Sequence, residues 1–257
     1  MTISRRHLIR TTAAAAGAIL IMPYAARAAA KASDVFQSAA GDITIHPVDH
    51  ASFVMETPQG VIYCDPVGDA AQYSDLPKPN LILVTHEHGD HYNAETLTAL
   101  MGEGVELITN PAVNAMLPEA LKSGARQLSN GESTEWKGVS IDAIAAYNTT
   151  EERKNFHPEG RDNGYVLGFE GFRVYISGDT ENTPEMKALE AIDVAFLCMN
   201  LPFTMDVAQA ADAVSAFKPK VVYPYHYRGK DGGTQDPAEF AKLVGESTEV
   251  KIVDWYA

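Results

Sequence analysis

Three imidazoles and the carboxylate of Asp90 fall within the six consecutive residues His86-Glu87-His88-Gly89-Asp90-His91, and the chain has only eight histidines in all. Such a density of nitrogen and oxygen donors is what a metal site requires. His86 and His88 can point to one side of a loop while Asp90 and His91 face a second point, so one loop could serve two metals. Neutral imidazole and carboxylate suit zinc, with iron and manganese also compatible, because these donors select weakly among such ions.

The elements around the cluster must hold it rigidly. Leu81-Ile82-Leu83-Val84 before it is an apolar run of strand type, and Asn93 to Leu100 after it reads as a helix, so the cluster occupies a strand-to-helix turn with Asp90 and His91 at the helix start. Upstream, Ile43 to Val48, Ser52 to Glu56 and Val61 to Cys64 form short strand-like pieces punctuated by Pro58-Gln59-Gly60, the pattern of an antiparallel meander. Val105 to Thr109 and a helix from Pro111 to Lys122 follow. A second run of strands covers Val139 to Tyr147, Gly164 to Phe169 and Phe172 to Ser177, with Gly171 in a tight hairpin. Beyond it come a helix near Pro184 to Glu190, a strand Val194 to Met199, a helix Asp206 to Phe217, a strand Lys220 to Tyr225, a helix near Pro237 to Val244 and a final strand Val250 to Trp255. Two halves of similar plan emerge, which fits two packed sheets flanked by helices better than one doubly wound sheet. Thr149 to Asp162 is the longest polar insertion and is expected to form a loop over the site.

The spacing His86-x-His88-x-Asp90-His91 after an apolar strand resembles the signature of the metallo-β-lactamase superfamily, and the resemblance runs from about Asp42 to the C-terminus. It implies an α/β (α+β) chain folded as a four-layer αββα sandwich with metals at one end. A tetrahedral or five-coordinate ion cannot be closed by one loop, so further ligands must come from elsewhere. The resemblance assigns two. Asp179, in Ser177-Gly178-Asp179-Thr180, matches the aspartate that bridges the two metals, and His226, in Tyr223-Pro224-Tyr225-His226-Tyr227, stands where the family keeps its last histidine.

One member departs from the pattern. The family places a histidine at the end of the strand that here runs to Tyr147, where this chain has Asn148. His157, in Asn155-Phe156-His157-Pro158, is the nearest replacement; otherwise Asn148 or solvent would complete the first site. Asp49-His50-Ala51-Ser52-Phe53 and Cys64-Asp65-Pro66 resemble a branch related to L-ascorbate 6-phosphate lactonases and N-acylphosphatidylethanolamine phospholipase D. Asp65 is expected to accept a hydrogen bond from a ligand imidazole and fix its orientation. His50 is either a similar supporting group or a core histidine. Met199 to Met205 resembles a substrate-side loop of the same branch.

Ser4-Arg5-Arg6-His7-Leu8-Ile9-Arg10 resembles a twin-arginine export signal, followed by an apolar stretch Thr11 to Met22 and a small-x-small cleavage site at Ala26-Arg27-Ala28. The apolar stretch is shorter than the ~20 residues a bilayer span needs, so no stable membrane anchor is expected. The expected organisation is therefore a cleaved signal peptide over residues 1–28, read by the twin-arginine export machinery, and a metallo-β-lactamase-fold hydrolase domain over 29–257 that works in the periplasm. The formal charge of −14 becomes −18 once the four arginines of residues 1–28 are removed, and such a surface repels nucleic acid. Cys64 and Cys198 lie inside apolar runs, as small buried hydrophobes do.

The implied activity is that of a metal-dependent hydrolase, binuclear with two zinc ions, that cleaves a small-molecule substrate with a metal-bound hydroxide. Asp90 would orient that nucleophile and pass its proton to the leaving group. A lactone or phosphodiester is expected ahead of a β-lactam or amide, and the alternative from a different class is a periplasmic metal-binding protein without turnover.

Overall fold

Short apolar runs separated by turn residues become two seven-stranded sheets, each laid out in the order of the chain. The computed structural model describes residues 33–228 and 235–256, which belong to one unit, Lys31–Ala257. The expected signal segment, residues 1–28, lies outside the described residues.

The first sheet holds β1 (Asp34–Ser38), β2 (Gly41–Asp49), β3 (Ser52–Thr57), β4 (Gly60–Cys64), β5 (Leu81–Val84), β6 (Glu106–Thr109) and β7 (Ala125–Gln127). The second holds β8 (Ser133–Trp136), β9 (Val139–Ala146), β10 (Asp162–Phe169), β11 (Phe172–Ile176), β12 (Val194–Cys198), β13 (Val221–Tyr225) and β14 (Glu249–Val250). In each sheet the first four strands are antiparallel neighbours and the last three add in parallel. The change follows from the connections: tight turns such as Glu170-Gly171 reverse the chain, whereas a parallel neighbour needs a crossover. Those crossovers carry the helices α1 (Ala94–Leu100), α2 (Pro111–Met116), α3 (Glu119–Lys122), α4 (Pro184–Lys187), α5 (Val207–Phe217) and α6 (Pro237–Val244).

Strand alternation decides which side chains meet. Phe53, Met55, Ile62, Cys64, Leu81 and Leu83 turn into the main core shared with the second sheet, and their neighbours Val54, Tyr63, Ile82 and Val84 turn to the opposite face. That outer face is covered by Leu97 of α1, Val113 of α2 and Leu121 of α3. Between the sheets Phe53 stacks on Phe196 at 4.0 Å, and Phe196 on Tyr223 at 5.0 Å. On the second sheet Ala210, Val214 and Phe217 of α5 and Phe240 of α6 join the same core. Helices therefore flank a pair of sheets, the four-layer αββα sandwich the motif implies.

Several elements differ from the sequence expectation. The helix Pro111 to Lys122 is two short helices, because Leu117 and Pro118 adopt extended ψ values of 141° and 143° between them. The final strand is confined to Glu249–Val250; Trp255 is buried instead through packing and an indole N–H donated to the Pro224 carbonyl at 2.9 Å. The strands β1, β7 and β8 were not expected, being short and polar or half-exposed. Cys64 and Cys198 are both buried free thiols, and burial pushes each well up from the ordinary thiol range. No helix among the described residues is long and apolar enough to cross a membrane.

Candidate metal centre

The candidate residues emerge from strand ends at one end of the sandwich. His86 to His91 follow β5, Asp65 follows β4, His50 lies in the β2–β3 turn, Asn148 follows β9, Asp179 follows β11 and His226 follows β13. The end of β5 is pinned across the sheets: Tyr165 donates its hydroxyl to the Val84 carbonyl at 2.9 Å, and the Asn163 N–H and the Asn110 amide both donate to the Thr85 carbonyl at 3.1 Å. The helix starts later than expected. Asn93 caps α1 by accepting from the N–H groups of Glu95 and Thr96, so Asp90 and His91 stand in the turn before it, where the N–H groups of His91 and Tyr92 donate to the His88 carbonyl.

These residues form three groups, in each of which the donor atoms lie within 4.8 Å of one another: His86, His88 and His157; His86, His91 and Asp179, which shares His86 with the first; and His50, Asp90 and His226. Asp179 joins them. Its Oδ1 is 3.4 Å from His91 Nε2, and its Oδ2 is 3.4 Å from both His157 Nε2 and His226 Nε2. Asp90 Oδ2 is 3.3 Å from His226 Nε2. His86, His91, His157, Asp179 and His226 are buried, whereas the Asp90 side chain is 48% exposed and opens the centre to solvent.

Hydrogen bonds behind the rings fix their tautomers. Asp65 accepts from the Thr85 N–H, the Thr85 hydroxyl and His91 Nδ1, each at 2.7 Å, so His91 carries its proton on Nδ1. The Thr85 hydroxyl, having donated to Asp65, accepts from His86 Nδ1 at 3.0 Å. Asp162 accepts from His157 Nδ1 at 3.0 Å and is itself held by Arg161 at 2.7 and 2.9 Å. All three rings thus present an Nε2 lone pair to the centre.

His50 differs in kind. Tyr256 Oη accepts the N–H groups of Tyr227 and Arg228 at 3.1 and 3.2 Å, which leaves its one proton for His50 Nδ1 at 2.9 Å. His50 Nε2 then carries hydrogen and faces Asp90 Oδ2 at 3.3 Å, while the ring lies 3.8 Å from that of His226. It supports the centre and is not a core histidine. Asn148, the other open candidate, commits its amide N–H groups to the carbonyls of Arg153 and Phe203 at 2.9 and 2.6 Å, while its Oδ1 is buried without a hydrogen-bond partner. Its backbone N–H donates to the His157 carbonyl at 2.8 Å, and the His157 imidazole groups with those of His86 and His88.

Electrostatics divides the rings. Burial keeps His86 far below the usual imidazole range, helped by the neighbouring His91, and burial with His157 lowers His88. Burial is the largest single influence on His91 and His226 and acts to lower both, but Asp179 together with Asp65 raises His91, and Asp179 together with Asp90 raises His226. Burial would raise Asp179 and Asp90; instead His226 and His91 pull Asp179 well down, and the adjacent His226 and His50 imidazoles pull Asp90 down. The centre therefore holds ionised carboxylates and favours positive charge.

A metal fits this donor set. His86 Nε2, His91 Nε2, Asp179 Oδ1 and His226 Nε2 are buried without a hydrogen-bond partner, and the facing carboxylates stand 3.3–3.4 Å away, beyond the 2.7–2.9 Å of a charge-assisted hydrogen bond. Backbone strain converges on the same place. His50, Asp65 and His226 have φ values of 52°, 42° and 47°, a left-handed conformation that non-glycine residues adopt at a cost of about 1–3 kcal/mol. Asp162, Arg153, Glu181 and Tyr256, which support the centre, were not identified from sequence. Their polar types at ordinary loop positions gave no signal.

The chain from residue 44 to 226 matches the family model of the β-lactamase superfamily domain. It is 32% identical over 213 residues to a metal-dependent hydrolase of the UPF0173 group from Pyrococcus abyssi, covering 79% of this chain and 93% of that protein. Among solved structures, a candidate metal-dependent hydrolase from Parabacteroides distasonis superposes with a TM-score of 0.79 at 38% identity, over 88% of this chain and all of that one. A metallo hydrolase from Ignicoccus hospitalis shares the fold, with a TM-score of 0.69 at 23% identity over 84% of this chain and 96% of that one. The chain belongs to the metallo-β-lactamase superfamily, within the UPF0173 group of metal-dependent hydrolases.

Proposed function

We propose that this chain is a binuclear hydrolase of lactones or phosphodiesters. The observation that carries the reading is the convergence of His86, His88, His91, His157, Asp179 and His226 around buried nitrogen lone pairs that no protein group satisfies. His86, His88 and His157 would hold one ion, His91, Asp90 and His226 the other, and Asp179 lies between the two sets. Two divalent cations there, zinc by the chemistry of the donors, would lower the pKa of water from about 15.7 towards 7 and polarise the scissile carbonyl or phosphoryl oxygen.

The chain's own groups do the rest. Asp65, Thr85 and Asp162 orient the rings so that each offers Nε2. Asp90, held ionised by His226 and His50 and open to solvent, is placed to orient the attacking water, accept its proton and deliver it to the leaving group. The choice of lactone or phosphodiester rests on the His50 and Asp65 segments; the formal charge of −14 favours a neutral or cationic substrate over a polyanion. With His157 beside His86 and His88, no observation favours binding without turnover.

Residues 1–28 are proposed as a twin-arginine signal that directs the domain to the periplasm, on the strength of Arg5-Arg6 and the apolar stretch after them. Cell fractionation of the full chain beside an Arg5→Lys/Arg6→Lys variant tests this; equal periplasmic recovery of both rejects the route. For the activity, a panel of lactones, phosphodiesters and β-lactams is assayed before and after complete chelation. Turnover that survives metal removal would overturn the mechanism.

A further inference from the structure

The chain lacks a histidine where β9 ends, and the imidazole beside His86 and His88 arrives from a loop nine residues further on. A loop of that length carries considerable freedom, and a ligand is useful only when its lone pair is held in place. Asp162 holds the ring itself at Nδ1, and the stem of the loop is fixed by a second buried carboxylate. Glu181, fully buried and two residues beyond Asp179, accepts the N–H groups of Thr149 and Thr150 at 2.7 Å and the Thr149 hydroxyl at 2.8 Å on one oxygen. Its other oxygen accepts from Arg153 at 2.7 Å.

Arg153 in turn donates to the Thr204 carbonyl at 3.0 Å and to Gln209 Oε1 at 2.9 Å, on the segment that leads into α5. Asn148 closes the loop by donating to the carbonyls of Arg153 and His157. The bonds of Glu181 and Arg153 join the stem of the insertion to the segment carrying Asp179 and to the start of α5, those of Asn148 to Arg153 and His157 close the insertion on itself, and none involves a donor atom of the metal centre.

We propose that Glu181 and Arg153 are positioning residues that hold His157 at the vacant strand-end position, so that the affinity of the His86–His88–His157 trio for its ion depends on them. The inference rests on the ligand assignment proposed above. It also explains why a carboxylate is buried beside the site without facing it: it gathers the donors that a chain leaving β9 would otherwise expose. The segment carrying Asp179 thereby supplies one ligand directly and steadies another through Glu181.

The test is a zinc titration of the metal-free full chain against a chromophoric chelator, with cobalt absorption spectra as a second readout. The wild type should bind two equivalents, and His157→Ala should lose one of them. Arg153→Ala, at a side chain 21% exposed, should weaken that same equivalent by 10–100-fold, leave the other within twofold, and change the cobalt spectrum. Arg153→Lys should recover part of the loss. In the His157→Ala background Arg153→Ala should make no further difference, which a general loss of stability would not reproduce. Should Arg153→Ala fail to fold, Glu181→Gln, which keeps the shape and half of the acceptors, is expected to act in the same direction.

If His157→Ala weakens one equivalent while Arg153→Ala and Glu181→Gln titrate like the wild type, the positioning role is wrong and the ligand assignment stands. If His157→Ala itself binds two equivalents as the wild type does, the ligand assignment fails first.

Discussion

At the scale of single residues, the groups proposed to touch the ions differ from the groups that would aim them, and the two kinds predict different phenotypes. Asp90→Asn removes the proton acceptor while keeping an oxygen donor, so kcat should fall by about 10²–10⁴-fold with metal content retained, as read by steady-state kinetics beside metal analysis. Asp65→Ala should instead weaken metal binding by about 10–100-fold, because it releases His91 Nδ1 and both Thr85 donors at once. A variant of Asp65 with wild-type metal affinity would contradict the orienting role. The residues that converge at this end of the sandwich were legible in the sequence because His86, His88, Asp90, His91, Asp179 and His226 follow a fixed order at or just after strand ends. His157 was legible only as the nearest histidine to a gap, and His50 not beyond two alternatives, since its role depends on where Tyr256 sends one proton. Glu181 and Arg153 were invisible, because what they do depends on a loop path that no spacing rule encodes.

At the scale of elements, function depends on how strands end. Gly178 turns the chain after β11 with φ 59°, and a Cβ there would lie 2.8 Å from the Asn163 carbonyl oxygen and 3.1 Å from Thr85 Cβ. Gly178→Ala should therefore destabilise the protein by about 1–3 kcal/mol in urea unfolding and reduce metal content, since the displaced neighbours hold β5 and Asp179 follows directly. Unchanged stability and metal content would show that the turn has slack. Strands buried on both faces, such as Leu81–Val84, were readable to the residue, as apolar runs bounded by turn residues are. Short pieces such as Ala125–Gln127 were not, because they exist only by pairing with a neighbour already in place. Trp255 misled in the opposite sense: it is apolar because it packs, not because it lies in a strand.

At the scale of the whole molecule, the two sheets meet through an aromatic stack and through the metal centre. Phe196→Ala removes the ring that contacts both Phe53 and Tyr223 and should cost about 3–5 kcal/mol, measured by denaturant unfolding of the metal-loaded protein. Chelation should act on the same seam. His86, His88, Asp90 and His91 come from the first sheet, and His157, Asp179 and His226 from the second. Each ion held at about 100 times its dissociation constant would add roughly 2.7 kcal/mol, so stripping both should lower Tm by about 10–20 °C in calorimetry, and an unchanged Tm would mean the halves do not need the link. Because the candidate donors straddle the sandwich, each ion of the proposed pair would act as a rivet. The lifetime of this chain under proteolysis would then follow the local supply of free cation, and scarcity would clear the idle copies first.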